Sequence, residues 1–107
     1  MALARVQLPA SAQRGEVIEV RIAIQHLMET GFRYGNDGRA IPKNVINTLV
    51  ARYNGAEIFR AELGSGIAAN PYLQFYAVAE ASGEIEFDWV DDKGERSTQR
   101  VALNVTQ

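Results

Sequence analysis

Val17-Ile18-Glu19-Val20-Arg21-Ile22-Ala23-Ile24-Gln25 places Ile18, Val20, Ile22 and Ile24 on one side and Glu19, Arg21, Ala23 and Gln25 on the other. A period of two with branched aliphatics on one side is the pattern of a strand with one buried and one wet face. Working outward, Val45 to Tyr53 and Ala56 to Glu62 flank Asn54-Gly55, a pair that suits a two-residue type I′ turn because both residues tolerate positive φ. Gly83 to Val90 sends Ile85, Phe87 and Trp89 one way and Glu84, Glu86 and Asp88 the other. Asp91-Asp92-Lys93-Gly94 then turns the chain into Glu95 to Val105. Leu3 to Leu8 and Tyr72 to Val78 complete a set of about seven strands, the number of an immunoglobulin-like sandwich. No amphipathic helix is visible. The expected fold is all-β, an antiparallel immunoglobulin-like sandwich without a disulfide, with Trp89 held in the core by packing alone.

The 107 residues suit one domain over 1–107. With 47% hydrophobic and 22% charged residues the chain lies far from the composition of disordered segments. A net charge of −2 with scattered Lys and Arg gives no basic stripe, so nucleic acid is not an expected partner. There is no cysteine, which removes disulfides, thiolate nucleophiles, Cys-ligated zinc and iron–sulfur clusters together. The start, Met1-Ala2-Leu3-Ala4-Arg5, lacks the pattern of a signal peptide, and no apolar stretch approaches membrane-spanning length. A soluble protein without an export signal of its own is expected, with no membrane partner.

Two connections are longer than sheet geometry requires, and binding determinants concentrate on such loops. The first runs from Leu27 to Lys43 and carries Met28, Phe32 and Tyr34, too apolar for a freely solvated loop; they must pack on the sandwich or on a partner. The second, Gly64-Ser65-Gly66-Ile67-Ala68-Ala69-Asn70-Pro71-Tyr72, is glycine-rich but lacks the Lys-Ser/Thr and helix start of a phosphate cradle, and reads as a crossover ending in an Asn-Pro turn.

His26 is the one histidine, with Glu29 three residues on. Catalytic zinc takes three protein ligands, and non-haem iron usually needs two histidines and a carboxylate, so no metal site is expected. Ser11, Ser65, Ser82 and Ser97 have only His26 to serve as base, and none neighbours it in a recognisable motif. No catalytic residue and no cofactor site emerges, and His26 reads as a structural or interface residue. Glu86, Asp88, Asp91 and Asp92 lack calcium-loop spacing and read as a solvated strand face.

The blocks His26-Leu27-Met28-Glu29-Thr30-Gly31, Asn36-Asp37-Gly38, Ile41-Pro42, Tyr53-Asn54-Gly55, Asn70-Pro71-Tyr72-Leu73 and Trp89-Val90-Asp91-Asp92-Lys93-Gly94 resemble, in order, those of the SoxZ family. The first block and Asn-Pro-Tyr-Leu are the most specific; Leu27 and the Gly64–Gly66 stretch depart from the family by lacking a proline. The resemblance implies an immunoglobulin-like, non-enzymatic subunit of a periplasmic sulfur carrier. Its partner would be SoxY, whose C-terminal cysteine on a glycine-rich arm carries the sulfur during thiosulfate oxidation. It further implies transient docking with SoxAX and SoxB and, in complete systems, with SoxCD, and export alongside a signal-bearing SoxY. On this reading the partner-binding residues are His26, Met28, Glu29, Thr30, Gly31, Phe32, Asn70, Pro71 and Tyr72, with Gly31 supplying an unusual backbone conformation. Two rival readings remain. One is a small redox or metal protein resembling desulfoferrodoxin, whose iron site needs several histidines and a cysteine. The other is a general interaction module that self-associates through a sheet edge.

Overall fold

The alternation of Val17–Ile24 is realised as the central strand of a three-stranded sheet, with Ile18, Val20, Ile22 and Ile24 buried. The computed structural model describes residues 3–64, 66, 67 and 69–107. Met1 and Ala2 of the chain start, and Ser65 and Ala68 of the glycine-rich crossover, lie outside the described residues. Among those described, eight strands follow in order: β1 (Ala4–Gln7), β2 (Ser11–Gln13), β3 (Val17–Ile24), β4 (Ile46–Tyr53), β5 (Ala56–Glu62), β6 (Tyr72–Val78), β7 (Gly83–Asp91) and β8 (Arg96–Thr106). One sheet has the order β1-β3-β6 and the other β2-β8-β7-β4-β5. The two faces meet over Ile18, Val20, Ile22, Ile24, Leu49, Phe75, Ile85, Phe87, Trp89 and Leu103. This is the expected immunoglobulin-like sandwich without cysteine.

The strand beyond the expected seven is β2. It is three residues long and pairs with β8 in parallel, so it shows no periodicity to read. It forms because the chain, after pairing with β3 as β1, crosses to the other sheet through Leu8-Pro9-Ala10. That crossing puts β1 and β2 on one side of the sandwich and leaves β5 and β6 as edges on the other, where Phe59 and Phe75 stack with ring centroids 4.4 Å apart.

Turn chemistry pins one end. Asn54 and Gly55 both take positive φ, +49° and +89°, as a type I′ turn between β4 and β5 requires. The Asn54 side chain accepts the Glu84 N–H at 3.0 Å and lies so close to Gly83 that a Cβ there would collide with it. The Tyr53 hydroxyl accepts the N–H groups of Glu80 and Ala81, each at 3.1 Å, and donates to the Ala81 carbonyl. Trp89 is in the core as expected; its indole N–H and the Ser97 hydroxyl, on residues paired across β7 and β8, find no hydrogen-bond partner among the described residues.

Candidate functional site

The other end of the sandwich is built by continuing two alternations past their strands. Parity carries β3 from Ile24 to His26 on the inner side, and β7 from Ile85, Phe87 and Trp89 to Asp91, also inward. The two sheets face each other, so His26 and Asp91 meet across the sandwich with Nε2 3.3 Å from Oδ2. Asp91 is only 6% exposed, which corrects the expectation that the acids at 86, 88, 91 and 92 form one solvated face. Glu86 and Asp88 do stand on the outer face, in a ladder with Arg52, Thr98 and Arg100. Asp91 has the opposite parity.

A carboxylate drawn from water needs donors, and Asp91 has four. Oδ1 accepts the N–H groups of Lys93 and Glu95, both at 3.0 Å, closing the β7–β8 turn. Oδ2 takes the His26 ring and the Asn44 amide at 3.4 Å. Burial pushes the Asp91 carboxyl up, but the Glu95 N–H, the His26 ring, the Asn44 amide and the Lys93 N–H outweigh it and hold the group below the usual range. Beside it, Asp92 is also lowered, by the Asn47 amide first and then the Val45 N–H; it ties the turn to the start of β4.

His26 uses both ring nitrogens within the protein. Nδ1 accepts the Met28 N–H at 2.9 Å, so the ring proton sits on Nε2 and is donated to Asp91. A histidine acting as base or metal ligand needs one nitrogen facing outward. Among the described residues no three His, Cys, Asp or Glu side chains gather as a metal set. The His26–Asp91 pair is therefore a brace between sheets and loop.

What it braces is the segment 27–44. Met28 adopts φ +53°, a left-handed conformation rare outside glycine, and its side chain is 3% exposed with Sδ accepting the Ile46 N–H at 3.3 Å. Of the three apolar loop residues, Met28 thus packs on the sandwich itself, and the structure places its side chain in the core instead of on a contact surface. Gly31 has φ +92°, the unusual conformation expected of it, with Lys43 close enough that a Cβ would crowd it. Glu29 and Asn44 exchange backbone hydrogen bonds of 2.8 Å, and Tyr34 bridges Ala40. The loop is therefore a small hairpin arm, with Asn36-Asp37-Gly38 at its tip. Arg33 pairs with Glu29 and lowers its carboxyl. Phe32 (83%) and Tyr34 remain exposed on the arm, with Leu27 at its base.

Asn70 closes the site from the crossover. Its N–H donates to the His26 carbonyl at 2.7 Å while its Oδ1 accepts the His26 N–H at 3.0 Å, at φ +56°. The result is an open cleft of about 610 Å³ lined by His26, Leu27, Glu29, Asn44, Asn70 and Asp91, among others. Blocks far apart in sequence thus converge at one end: His26, Glu29 and Asn70 line the cleft, Thr30, Gly31 and Phe32 belong to its arm, and Pro71 is buried beneath. Tyr72 does not join them; it stands on the outer face of β6, beside Arg5, Gln7, Arg21 and Ala23. Sequence reasoning missed Asn44 and Asp91. The inward parity of residues 85, 87, 89 and 91 was the available signal for the second; Asn44 lies in a single bridge to Glu29 outside the named strands, with no period to read.

A family model described as "Sulphur oxidation protein SoxZ" matches residues 6–102. No curated protein matches the chain in a sequence search. Among solved structures, a superoxide reductase (neelaredoxin) from Ignicoccus hospitalis superposes with TM-score 0.75 at 14% identity, covering 96% of this chain and 79% of that one. A putative superoxide reductase from Thermotoga maritima gives TM-score 0.73 at 12% identity, covering 97% and 86%. The sulfur carrier protein SoxY from Chlorobium limicola f. thiosulfatophilum gives 0.65 at 9%, covering 97% and 79%. At such identities the likeness is one of fold alone.

Proposed function

The chain belongs to the SoxZ family of sulphur oxidation proteins, and from that premise we propose that it is the non-catalytic subunit of a periplasmic sulfur carrier, bound to SoxY. The family match over residues 6–102 carries this reading. Two features of the molecule support it. The chain has no thiol, so it cannot compete for sulfur held on a partner's cysteine. Both nitrogens of its one histidine are used in bracing the loop end, which fits a body that holds a surface in shape without performing a covalent step.

In this role SoxY supplies the cysteine that carries the intermediates of thiosulfate oxidation, and this chain supplies a stable platform exported with it. The rigid arm at the loop end, with Phe32, Tyr34 and Leu27 outermost, is the surface offered to the pathway enzymes SoxAX, SoxB and SoxCD. Exposed aromatics on a braced loop are the residue types that dominate docking energetics. Glu29 and Thr30 flank them, while His26, Met28, Gly31, Asn70 and Pro71 act by holding the arm.

Native mass spectrometry of the chain mixed with SoxY tests the reading: a one-to-one heterodimer is expected, and its absence under all conditions sinks the proposal. Phe32→Ala should leave that heterodimer intact and lower the rate of SoxAX-dependent thiosulfate loading about tenfold.

A further inference from the structure

Four strands bound the two sheets, and their edges are not alike. β5 carries Glu57, Arg60 and Glu62, and its ladder with β4 slips at Ala51/Arg52. β1 is four residues long and carries Arg5. β2 is three residues long. Charge, bulges and brevity are devices by which edges discourage a further strand. β6, Tyr72-Leu73-Gln74-Phe75-Tyr76-Ala77-Val78, has none of them: it is uncharged, free of proline, and in unbroken register with β3.

Register fixes which main-chain groups β6 offers. The Ile24 N–H donates to the Pro71 carbonyl at one end of the β3–β6 ladder, and the Ala79 N–H to the Glu16 carbonyl at the other. Antiparallel pairs alternate between bonded and non-bonded, so Leu73, Phe75 and Ala77 direct their N–H and C=O groups to β3. Tyr72, Gln74, Tyr76 and Val78 therefore aim theirs at the open edge. The side chains of the same residues stand outside the sandwich, with Tyr72, Tyr76 and Val78 between 47% and 62% exposed and Val17 exposed beside them.

We infer that β6 is the strand through which the chain joins SoxY, by antiparallel pairing with an edge strand of that subunit. The inference rests on the reading that SoxY is the partner. On the outer face beside β6 the charges of Arg21 and Glu19 already pair with each other, so what Tyr72, Tyr76 and Val78 leave to be covered is apolar surface, which an uncharged strand suits. The SoxY structure from Chlorobium limicola has this same fold across 97% of the present chain, so a subunit of that kind has a counterpart of β6 to offer. Edge-to-edge pairing of two related sandwiches is close to two-fold. It therefore closes on itself and leaves neither edge open to a third chain.

Proline at Gln74 deletes an edge-facing N–H while leaving the β3–β6 hydrogen bonds in place, and edge strands accept proline there. Gln74→Pro, which removes one interface hydrogen bond and leaves its acceptor unpaired, and, independently, Tyr76→Lys, which sets a charge against the joined edge, should each weaken association with SoxY by ~10-fold or more. Glu62→Pro, whose N–H faces the open side of β5 by the same alternation, should change it less than ~3-fold. Amide exchange gives a positional reading. On binding, Tyr72, Gln74, Tyr76 and Val78 should become protected, whereas Leu73, Phe75 and Ala77 are protected already. Folded β6 variants that bind SoxY with unchanged affinity would overturn the inference. So would a heterodimer lacking that alternating protection, or a homodimer of this chain that shows it and that SoxY does not displace. If the unaltered chain forms no heterodimer, the carrier reading itself falls, an outcome distinct from choosing the wrong edge.

Discussion

The hairpin end around Tyr53 and Asn54 and the loop end around His26 and Asp91 both close the same core, by different means. At the hairpin end a two-residue turn joins the strands directly, and Tyr53 and Asn54 tie it to the connection between β6 and β7, 27 to 30 residues on. At the loop end the chain leaves the sheets at Gln25 and returns at Ile46, and what holds it comes from 44 to 65 residues away: Asn70 on the His26 backbone, Asp91 on the His26 ring. Local turn chemistry gives a small, closed end. Long-range polar bracing allows a large exposed arm to be held in one shape, which is what a docking surface needs.

The sharpest way to break the loop end is Met28→Ala. It empties a buried core position, and urea denaturation should show a loss of about 3 kcal/mol, the range for Met→Ala in cores. Removing the charge of the brace with Asp91→Asn should cost about 2 kcal/mol, since four donors lose a carboxylate acceptor. The same variant tests a pH dependence. The Asp91 carboxyl is lowered in the folded protein, so its contribution is fully present above the unfolded value of about 3.9 and is lost as pH falls through the folded one. Acid unfolding of Asp91→Asn, measured by circular dichroism, should have a shallower slope than that of the unaltered chain in this window.

At the hairpin end, Tyr53→Phe removes one hydroxyl serving three backbone groups and should cost about 1.5 kcal/mol by the same denaturation measurement. The two ends are far enough apart that Tyr53→Phe and Asp91→Asn should add within about 0.5 kcal/mol. Phe32→Ala should move stability by less than about 0.5 kcal/mol, because an exposed side chain has no packing to lose.

The pattern of legibility follows the same division. Val17–Ile24, Gly83–Asp91 and the Asn54-Gly55 turn were readable because a strand's parity and a turn's φ requirements are local properties of a few adjacent residues. β2 was not, because three residues carry no period, and its pairing depends on where Pro9 sends the chain. At the site, the motif residues His26, Glu29 and Asn70 were picked out as loop blocks, and Gly31 as a residue of unusual conformation. Their convergence needed the fold. Met28 stood between packing on the sandwich and contact with a partner, because an apolar side chain in a loop has those two places to go and the sequence does not say which. Asp91 was misplaced through its neighbours: grouped with Asp92 it looked solvated, whereas counted from Trp89 it points inward.

The sequence by itself determined the all-β class, the inner faces of the long strands, the tight hairpin and the absence of any thiol, each a matter of residue type and spacing. Only the tertiary structure decided that His26 and Asp91 brace one another, and that Phe32 and Tyr34 stay outside while Met28 goes in. It alone decided that β6 is left with an unguarded edge. Those facts depend on which sheet each strand joins and which chain segments cross its ends, and hydrogen bonds over such separations are set by the assembled sandwich rather than by any local stretch.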